Sequence, residues 1–346
     1  MQNQVALSIV MPVFNHTEDL KTMLNSILDN SYQAWELLAV DDGSDDETKD
    51  VLKTYAARDG RIHFIERNRE PKGAQTCRNI GLEQARGEYI VFFDSDDYIA
   101  PYCLEQRVKE LKEHPELDFM VFRSGTYYDG LFHTEEHKMN FGYPIYKDDI
   151  AAFCSRTLPF IVWNNIYRRS SLLKVNTVWD TNLLSLQDSD FNIQTLANGL
   201  HYAYSVCPPD YGYRINVGSA NISGNITTKR HHASHLYGLQ KLSSTIVKQY
   251  GNRYNHELYR GALFTLNVLS KSGNTSAASE VYNIVRNYSP TYARLIWLQA
   301  KYYAALRKIL PMEIARKIAF ASYLIICRKQ INDKLSKLKL FKQPHA

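Results

Sequence analysis

The sequence lacks what a disulfide scaffold or a zinc module would need. Its five cysteines, Cys77, Cys103, Cys154, Cys207 and Cys327, form no CxxC pair and are odd in number, which points to a reducing compartment. No apolar run approaches the ~20 residues that span a bilayer; the longest, residues 318–327, has ten. The opening MQNQVALSIVMPVF shows neither a basic leader nor a small-residue cleavage site, so no signal peptide is expected. Internal repeats and low-complexity segments are missing too. Acidic residues are scarce at one end only. Residues 301–346 hold eleven Lys or Arg against Glu313 and Asp333, so a mildly acidic body carries a strongly basic tail under a net charge of +5. At 346 residues, 45% hydrophobic and 22% charged, the chain should form one large globular domain plus an appendage.

What is present centres on residues 87–97, GEYIVFFDSDD. Residues 89–93 read as a strand that is apolar throughout, hence buried on both faces of a mostly parallel sheet. It runs into Asp94, Ser95, Asp96 and Asp97. Three carboxylates in four residues repel one another unless water, hydrogen-bond donors or a cation compensates them. The carboxyl ends of strands are the ligand edge of an open α/β sheet. A hard divalent cation, held by one or two carboxylates plus substrate phosphates, fits there. The plainer alternative is that Asp96 or Asp97 caps a helix starting near residue 101.

The preceding and following segments alternate between strand and helix. Strands are expected at 7–13, 35–40, 62–66 and 119–122. Helices are expected at 17–30, capped by Asn15 or Thr17, and at 73–85 and 101–113, with Asp45 and Asp46 opening another. This is a βαβ series with a parallel sheet. Right-handed crossovers put the strand ends on one edge, so Asp41 and Asp42 should lie across neighbouring strand ends from Asp94 and Asp96. Residues 129–147 read as loop, 149–157, 170–174 and 187–196 as helix, and 210–215 as strand. From residue 231 to about 340 the pattern is helical. A boundary near Thr228 divides a first domain, 1–228 (halves at about 1–122 and 123–228), from a helical region, 229–346. His231, His232 and His235 share helical spacing, but no Cys or carboxylate is near, so a metal site is not expected there.

Taken in order, several blocks resemble family 2 glycosyltransferases of the bacterial capsule or O-antigen type, which have the GT-A nucleotide-diphospho-sugar fold. These are SIVMPVFN at 8–15, residues 32–44, residues 73–90 around Arg78-Asn79-Ile80-Gly81, FDSDD at 93–97, residues 163–170, QDSDF at 187–191 and YGYR at 211–214. The resemblance spans about residues 5–225. It implies an α/β fold, Rossmann-like, with a mostly parallel sheet, helices on both faces and a C-terminal all-helical region. It also implies metal-dependent, inverting transfer of a sugar, with Mn2+ or Mg2+ as cofactor. The donor would be a nucleotide-diphosphate sugar, a UDP-hexose by family expectation, and the acceptor a glycan or lipid-linked oligosaccharide in cell-surface polysaccharide synthesis.

Residue by residue, the resemblance implies Asp96 as metal ligand, with Asp94 beside it and nearer the ribose, and Ser95 between them. Asp41 and Asp42 would hold the base or ribose, with turn capping as the alternative. Pro12, Phe14 and Asn15 would shape the loop beside the base, and Arg78 would contact the nucleotide or partner the acidic edge, with a surface charge as the alternative. Arg214 would clamp the diphosphate once loop 216–228 closes, with a solvated surface arginine as the alternative. Asp188 would be the catalytic base, with Asp190 its competitor or an acceptor contact. Trp163, Tyr211 and Tyr213 would stack on sugar rings, with core packing as the alternative. Three departures stand out: Gln187 where the family has Glu, Asn165 where it often has Lys, and Gln75-Thr76-Cys77 where it has small residues.

Rival readings are a nucleotidyltransferase of the same fold and a non-catalytic adaptor. The first would show a Gly-rich, basic phosphate loop after the first strand, which PVFNHTEDL is not. In the tail, apolar residues such as Leu295, Trp297 and Tyr302 are interleaved with Lys and Arg, as in helices that lie on anionic membranes. The expected location is therefore cytoplasmic, peripheral on the inner face of the membrane. A homodimer interface is the competing use of these helices, and nucleic acid is not expected as a partner.

Overall fold

The structure is a computed structural model that describes residues 5–215, 228–271 and 277–340. The chain clusters into two units. The first comprises residues 1–144, 160–181 and 194–217; the second comprises 145–159, 182–193 and 218–346. Segments 145–159 and 182–193, which precede the expected boundary at Thr228, thus group with the C-terminal helices.

The first unit is built on a seven-stranded sheet. In chain order its early elements are β1 (Leu7–Val13), α1 (Thr17–Leu28), β2 (Trp35–Asp41), α2 (Asp46–Arg58), β3 (Ile62–Glu66), α3 (Ala74–Gln84) and β4 (Tyr89–Phe92). Then follow β5 (Tyr98–Ile99), α4 (Cys103–Glu113), β6 (Phe119–Val121), β7 (Ser124–Tyr128), β8 (Leu131–His133), β9 (Asn165–Arg168), β10 (Tyr202–Tyr204) and β11 (Tyr211–Arg214). The sheet order is β10-β6-β9-β4-β1-β2-β3, and it is parallel except for β9, which runs antiparallel to both neighbours. β1, β2 and β4 are buried along their whole length, as continuous apolar runs between two layers require.

Pro12 sits in the central strand without disrupting it. Val10 accepts from Phe93 N on the β4 side, so Pro12, two residues on, faces that side beyond the point where β4 pairs, and its missing N–H removes no ladder bond. Gly81 brings α3 against β1, since a Cβ there would collide with the Val10 side chain.

Four expectations are corrected. β1 lies between β2 and β4, so the two acidic strand ends are next but one, about 10 Å apart at the usual strand spacing, and not on neighbouring strands. Residues 131–133, expected as loop, form β8 in a second sheet of order β5-β11-β7-β8. The N-cap of α1 is His16, in the left-handed region and without a side-chain bond, and neither Asn15 nor Thr17 caps it. Neither Asp96 nor Asp97 caps α4, which starts at Cys103.

The second unit is helical. It contains α5 (Asp149–Cys154), α8 (Lys229–Tyr250), α9 (Asn255–Ser270), α10 (Ala277–Arg286), α11 (Pro290–Arg307), α12 (Met312–Ala319) and α13 (Ala321–Leu340). Leu239, Ala262, Leu266, Leu269, Val281 and Ile296 are among its core. Among the described residues, no helix is long and apolar enough to cross a membrane. In the first unit, α6 (Arg169–Lys174) follows β9. α7 (Gln187–Ala197) straddles the division.

Candidate active site

The carboxyl edge of the large sheet carries two acidic turns of the first unit, Asp94–Asp97 after β4 and Asp41-Asp42 at the end of β2. At the end of β4, the acidic turn is held from three directions. Asp97 is 2% exposed and accepts from Tyr211 Oη at 2.8 Å and from Arg214 N at 2.7 Å. Tyr211 Oη in turn accepts from Asp94 N at 3.1 Å. β11 of the second sheet therefore fixes the turn that β4 begins. Burial, with Asp96 and Asp94 alongside, pushes the Asp97 carboxyl up. Burial and then Asp97 push the Tyr211 phenol up, so Tyr211 remains the donor.

Asp94 pairs with Arg78 Nη2 at 2.5 Å. The Arg78 guanidinium lies 4.4 Å over the Trp179 ring, and Asn79 brackets the Trp179 backbone with two hydrogen bonds. Asp96 is the middle carboxylate of the turn, flanked by Asp94 and Asp97. Burial and then Asp94 push its carboxyl up to about 6.

The second acidic end belongs to β2. Asp41 accepts from Gly43 N and Ser44 N at 3.1 Å each, so it caps its own turn, the alternative raised from sequence. Asp42 pairs with Arg67 Nε at 2.8 Å and accepts from Gly73 N at 3.0 Å. Asn15 joins the two strand-end loops, receiving Asp45 N and donating its own N–H to Ser44 Oγ. Phe14 is 45% exposed, with Lys72 Nζ 3.8 Å over its ring. The first unit thus brings Pro12, Phe14, Asn15, Asp41, Asp42, Arg78, Asp94, Ser95, Asp96 and Arg214 onto one sheet edge.

Arg214 is engaged rather than free. Its Nε donates to the Asp96 carbonyl and lies 3.2 Å from Asp19. Most of the loop expected to close over it, 216–227, including Ser219 and Asn221, lies outside the described residues. The aromatic expectation is corrected for two residues. Trp163 and Tyr211 are 3% and 0% exposed and stack on each other at 4.5 Å, which makes them core. Tyr213 continues that row and is half-buried.

Asp188 and Asp190 belong to the second unit, in the first turn of α7. Asp190 pairs with Lys241 Nζ at 2.8 Å. Sequence reasoning missed Arg67, Lys72, Trp179 and the Tyr211–Asp97 bond. Arg67 and Lys72 carry no periodic signal because they lie on a loop.

His235 in α8 is 2% exposed, and neither ring nitrogen has a hydrogen-bond partner. Burial, followed by the Arg156 charge, pushes its pKa down to about 4. Below the ordinary value of about 6.5 the unfolded chain takes up a proton that the folded ring refuses. The stability this contributes is full above that value and is lost as pH falls toward 4, by about 3 kcal/mol at most. Melting temperature followed against pH should therefore fall below pH 6 in the natural chain and stay flatter in His235→Leu.

Residues 8–175 match the family described as Glycosyl transferase family 2. TuaG of Bacillus subtilis, by name a teichuronic acid biosynthesis glycosyltransferase, is 38% identical over 120 residues, covering 34% of this chain and 43% of TuaG. The chain spans 43% to 62% of the length of the first curated relatives it matches. Among solved structures, S. aureus TarS 1-349 in complex with UDP-GlcNAc superposes with a TM-score of 0.64 at 16% identity, covering 98% of this chain and 92% of that one. Mannosyltransferase PcManGT from Pyrobaculum calidifontis, with GDP-Man and Mn2+, gives 0.50 at 18% identity over 99% and 88%. These likenesses show the α/β fold expected from the strand-and-helix series, with added C-terminal helices. Residues 8–175, just under half of the chain, are the part that is similar to glycosyl transferase family 2.

Proposed function

We propose that the protein is a metal-dependent, inverting glycosyltransferase. It moves a hexose from a UDP-sugar to a lipid-linked glycan during synthesis of a cell-surface polysaccharide. The observation that carries this reading is the acidic turn Asp94–Asp97, fixed by Tyr211, Arg78 and Arg214 at the carboxyl edge of β4, with Asp41 and Asp42 two strands away. Support for the donor and the pathway comes from TarS, which binds UDP-GlcNAc, and from TuaG, named for teichuronic acid biosynthesis.

The donor set fits Mn2+ or Mg2+. Asp96 carries a charge that burial and Asp94 disfavour, and a cation would relieve it. Among the described residues no group of three or more His, Cys, Asp or Glu is placed to hold a metal. Two carboxylates, completed by water and substrate phosphates, suit these ions. Asp96 and Asp94 would hold the cation, which when bound supplies Lewis-acid stabilisation to the departing diphosphate.

The chain's own residues do the rest. Asp42, with Pro12, Phe14 and Asn15, orients the base and ribose, and Arg78 keeps Asp94 aimed. Ser95 gives the turn its polar edge, and Arg214 steadies the Asp96 backbone and meets the diphosphate. Asp188 takes the proton from the acceptor hydroxyl as its oxygen bonds to the anomeric carbon and the bond to the diphosphate breaks on the opposite face. Opposite faces give inversion. Tyr213 offers the acceptor a partly open ring. The basic helices place the enzyme on the inner, anionic surface of the membrane, where a lipid-linked acceptor is found.

A panel of sugar nucleotides with Mn2+ or Mg2+, followed by release of nucleoside diphosphate, tests the reading. Turnover of a UDP-hexose is expected. No release from any donor with either cation would sink it.

A further inference from the structure

α11 buries Ala293 and Ile296 against the helical core and leaves the opposite side in water. On that side Leu295, Trp297, Leu298 and Tyr302 are 41%, 47%, 55% and 50% exposed. At about 100° per residue these four, with Arg294 and Lys301, share a sector roughly 160° wide. Lys301 Nζ sits 4.5 Å over the Trp297 ring. A contiguous apolar strip of this kind marks an interaction site. Its charge is one-sided, because residues 281–312 contain five Lys or Arg and no Asp or Glu.

Those two properties choose the occupant. A second copy docked about a two-fold axis would set the patch against itself, bringing the cations Arg294 and Lys301 of the two copies together on a helix that carries no Asp or Glu. A nucleic acid would use the cations and stack on aromatic rings, but would leave Leu295 and Leu298 in water. An anionic bilayer surface uses both features. Aliphatic side chains enter the acyl boundary, cations meet headgroup phosphates, and Trp and Tyr lie at the level between.

We propose that α11 is the membrane-docking element, inserting the Leu295, Trp297, Leu298 and Tyr302 row into an anionic lipid surface with Arg294 and Lys301 on the headgroups. The proposal rests on the reading that the acceptor is lipid-linked, and it deepens that reading by naming the face.

The protein carries its own probe. Trp35, Trp163 and Trp179 are at most 3% exposed, so Trp297 is the tryptophan that can change surroundings. Full-length protein is mixed with vesicles of phosphatidylcholine alone or with phosphatidylglycerol added. Flotation and tryptophan emission are read together, with sedimentation velocity and donor hydrolysis on the same samples. The expected result is flotation and a blue shift with anionic vesicles only. Trp297→Phe should still float but lose the shift. Leu295→Ser combined with Leu298→Ser should bind about tenfold more weakly while donor hydrolysis and sedimentation stay unchanged. Absent flotation, equal binding of the double variant, or a change of its mass in solution would each overturn the proposal, the last in favour of a copy interface. An emission shift with an oligonucleotide but not with vesicles would overturn it in favour of nucleic acid. Donor hydrolysis that persists without vesicle binding would defeat the docking face alone. Vesicle binding without any donor turnover would defeat the enzyme reading and leave the docking face standing.

Discussion

Asp188→Asn should lower turnover about 10²–10⁴-fold while leaving donor binding intact. The amide keeps the size and polarity of the side chain but cannot accept the acceptor's proton, and general-base catalysis is worth about that factor. The neighbouring carboxylate gives the contrast. Asp190 is held by Lys241 at 2.8 Å, and neutralising it should loosen that contact between α7 and α8 with a much smaller effect on rate. Steady-state release of UDP, with donor binding measured separately by calorimetry, checks both. Loss of turnover in Asp190→Asn and its retention in Asp188→Asn would reverse the assignment.

Arg107→Leu should destabilise the first unit by about 3–5 kcal/mol, because it removes one partner of a fully buried ion pair. Arg107 and Asp210 are both 0% exposed, joined through Nε at 2.8 Å and Nη2 at 2.6 Å. Arg107 Nη1 also donates to the Trp163 carbonyl at 2.7 Å. The pair ties α4 to the residue before β11, the strand whose Tyr211 and Arg214 hold the acidic turn. Asp210 left without its partner would be a buried, uncompensated carboxylate. Chemical denaturation should show the loss, and Arg107→Leu with Asp210→Leu should recover much of it, since the charge is then gone from both sides. A double variant no more stable than the single one would mean the pair is not what holds α4 to β11.

The parts of this fold that could be read from sequence are those whose signal is local. β1, β2 and β4 are short apolar runs ending in polar turns, and α1 to α4 show helical periodicity, so their places were evident to within a few residues. Strand order was not, because nothing local says that β1 lies between β2 and β4. The second sheet was hidden for another reason: β5 has two residues and β8 three, too few for any alternation to register. Arg107 left a trace that could have been followed. It sits on the same helical face as Leu104, Val108 and Leu111, all buried, and an arginine at such a position needs a buried acid somewhere. The partner is 103 positions away and could not be named. Trp163 was open between two readings, since an aromatic inside a recognised block invites a ligand role as well as packing, and the ring packs on Tyr211.

The most direct test of the central idea is UDP release from the preferred UDP-sugar by the natural chain and by Asp96→Ala, each with Mn2+ and after chelation. The account predicts that the cation stimulates the natural chain strongly and leaves the variant at its chelated rate. Equal rates in all four samples, or full cation stimulation of Asp96→Ala, would contradict it.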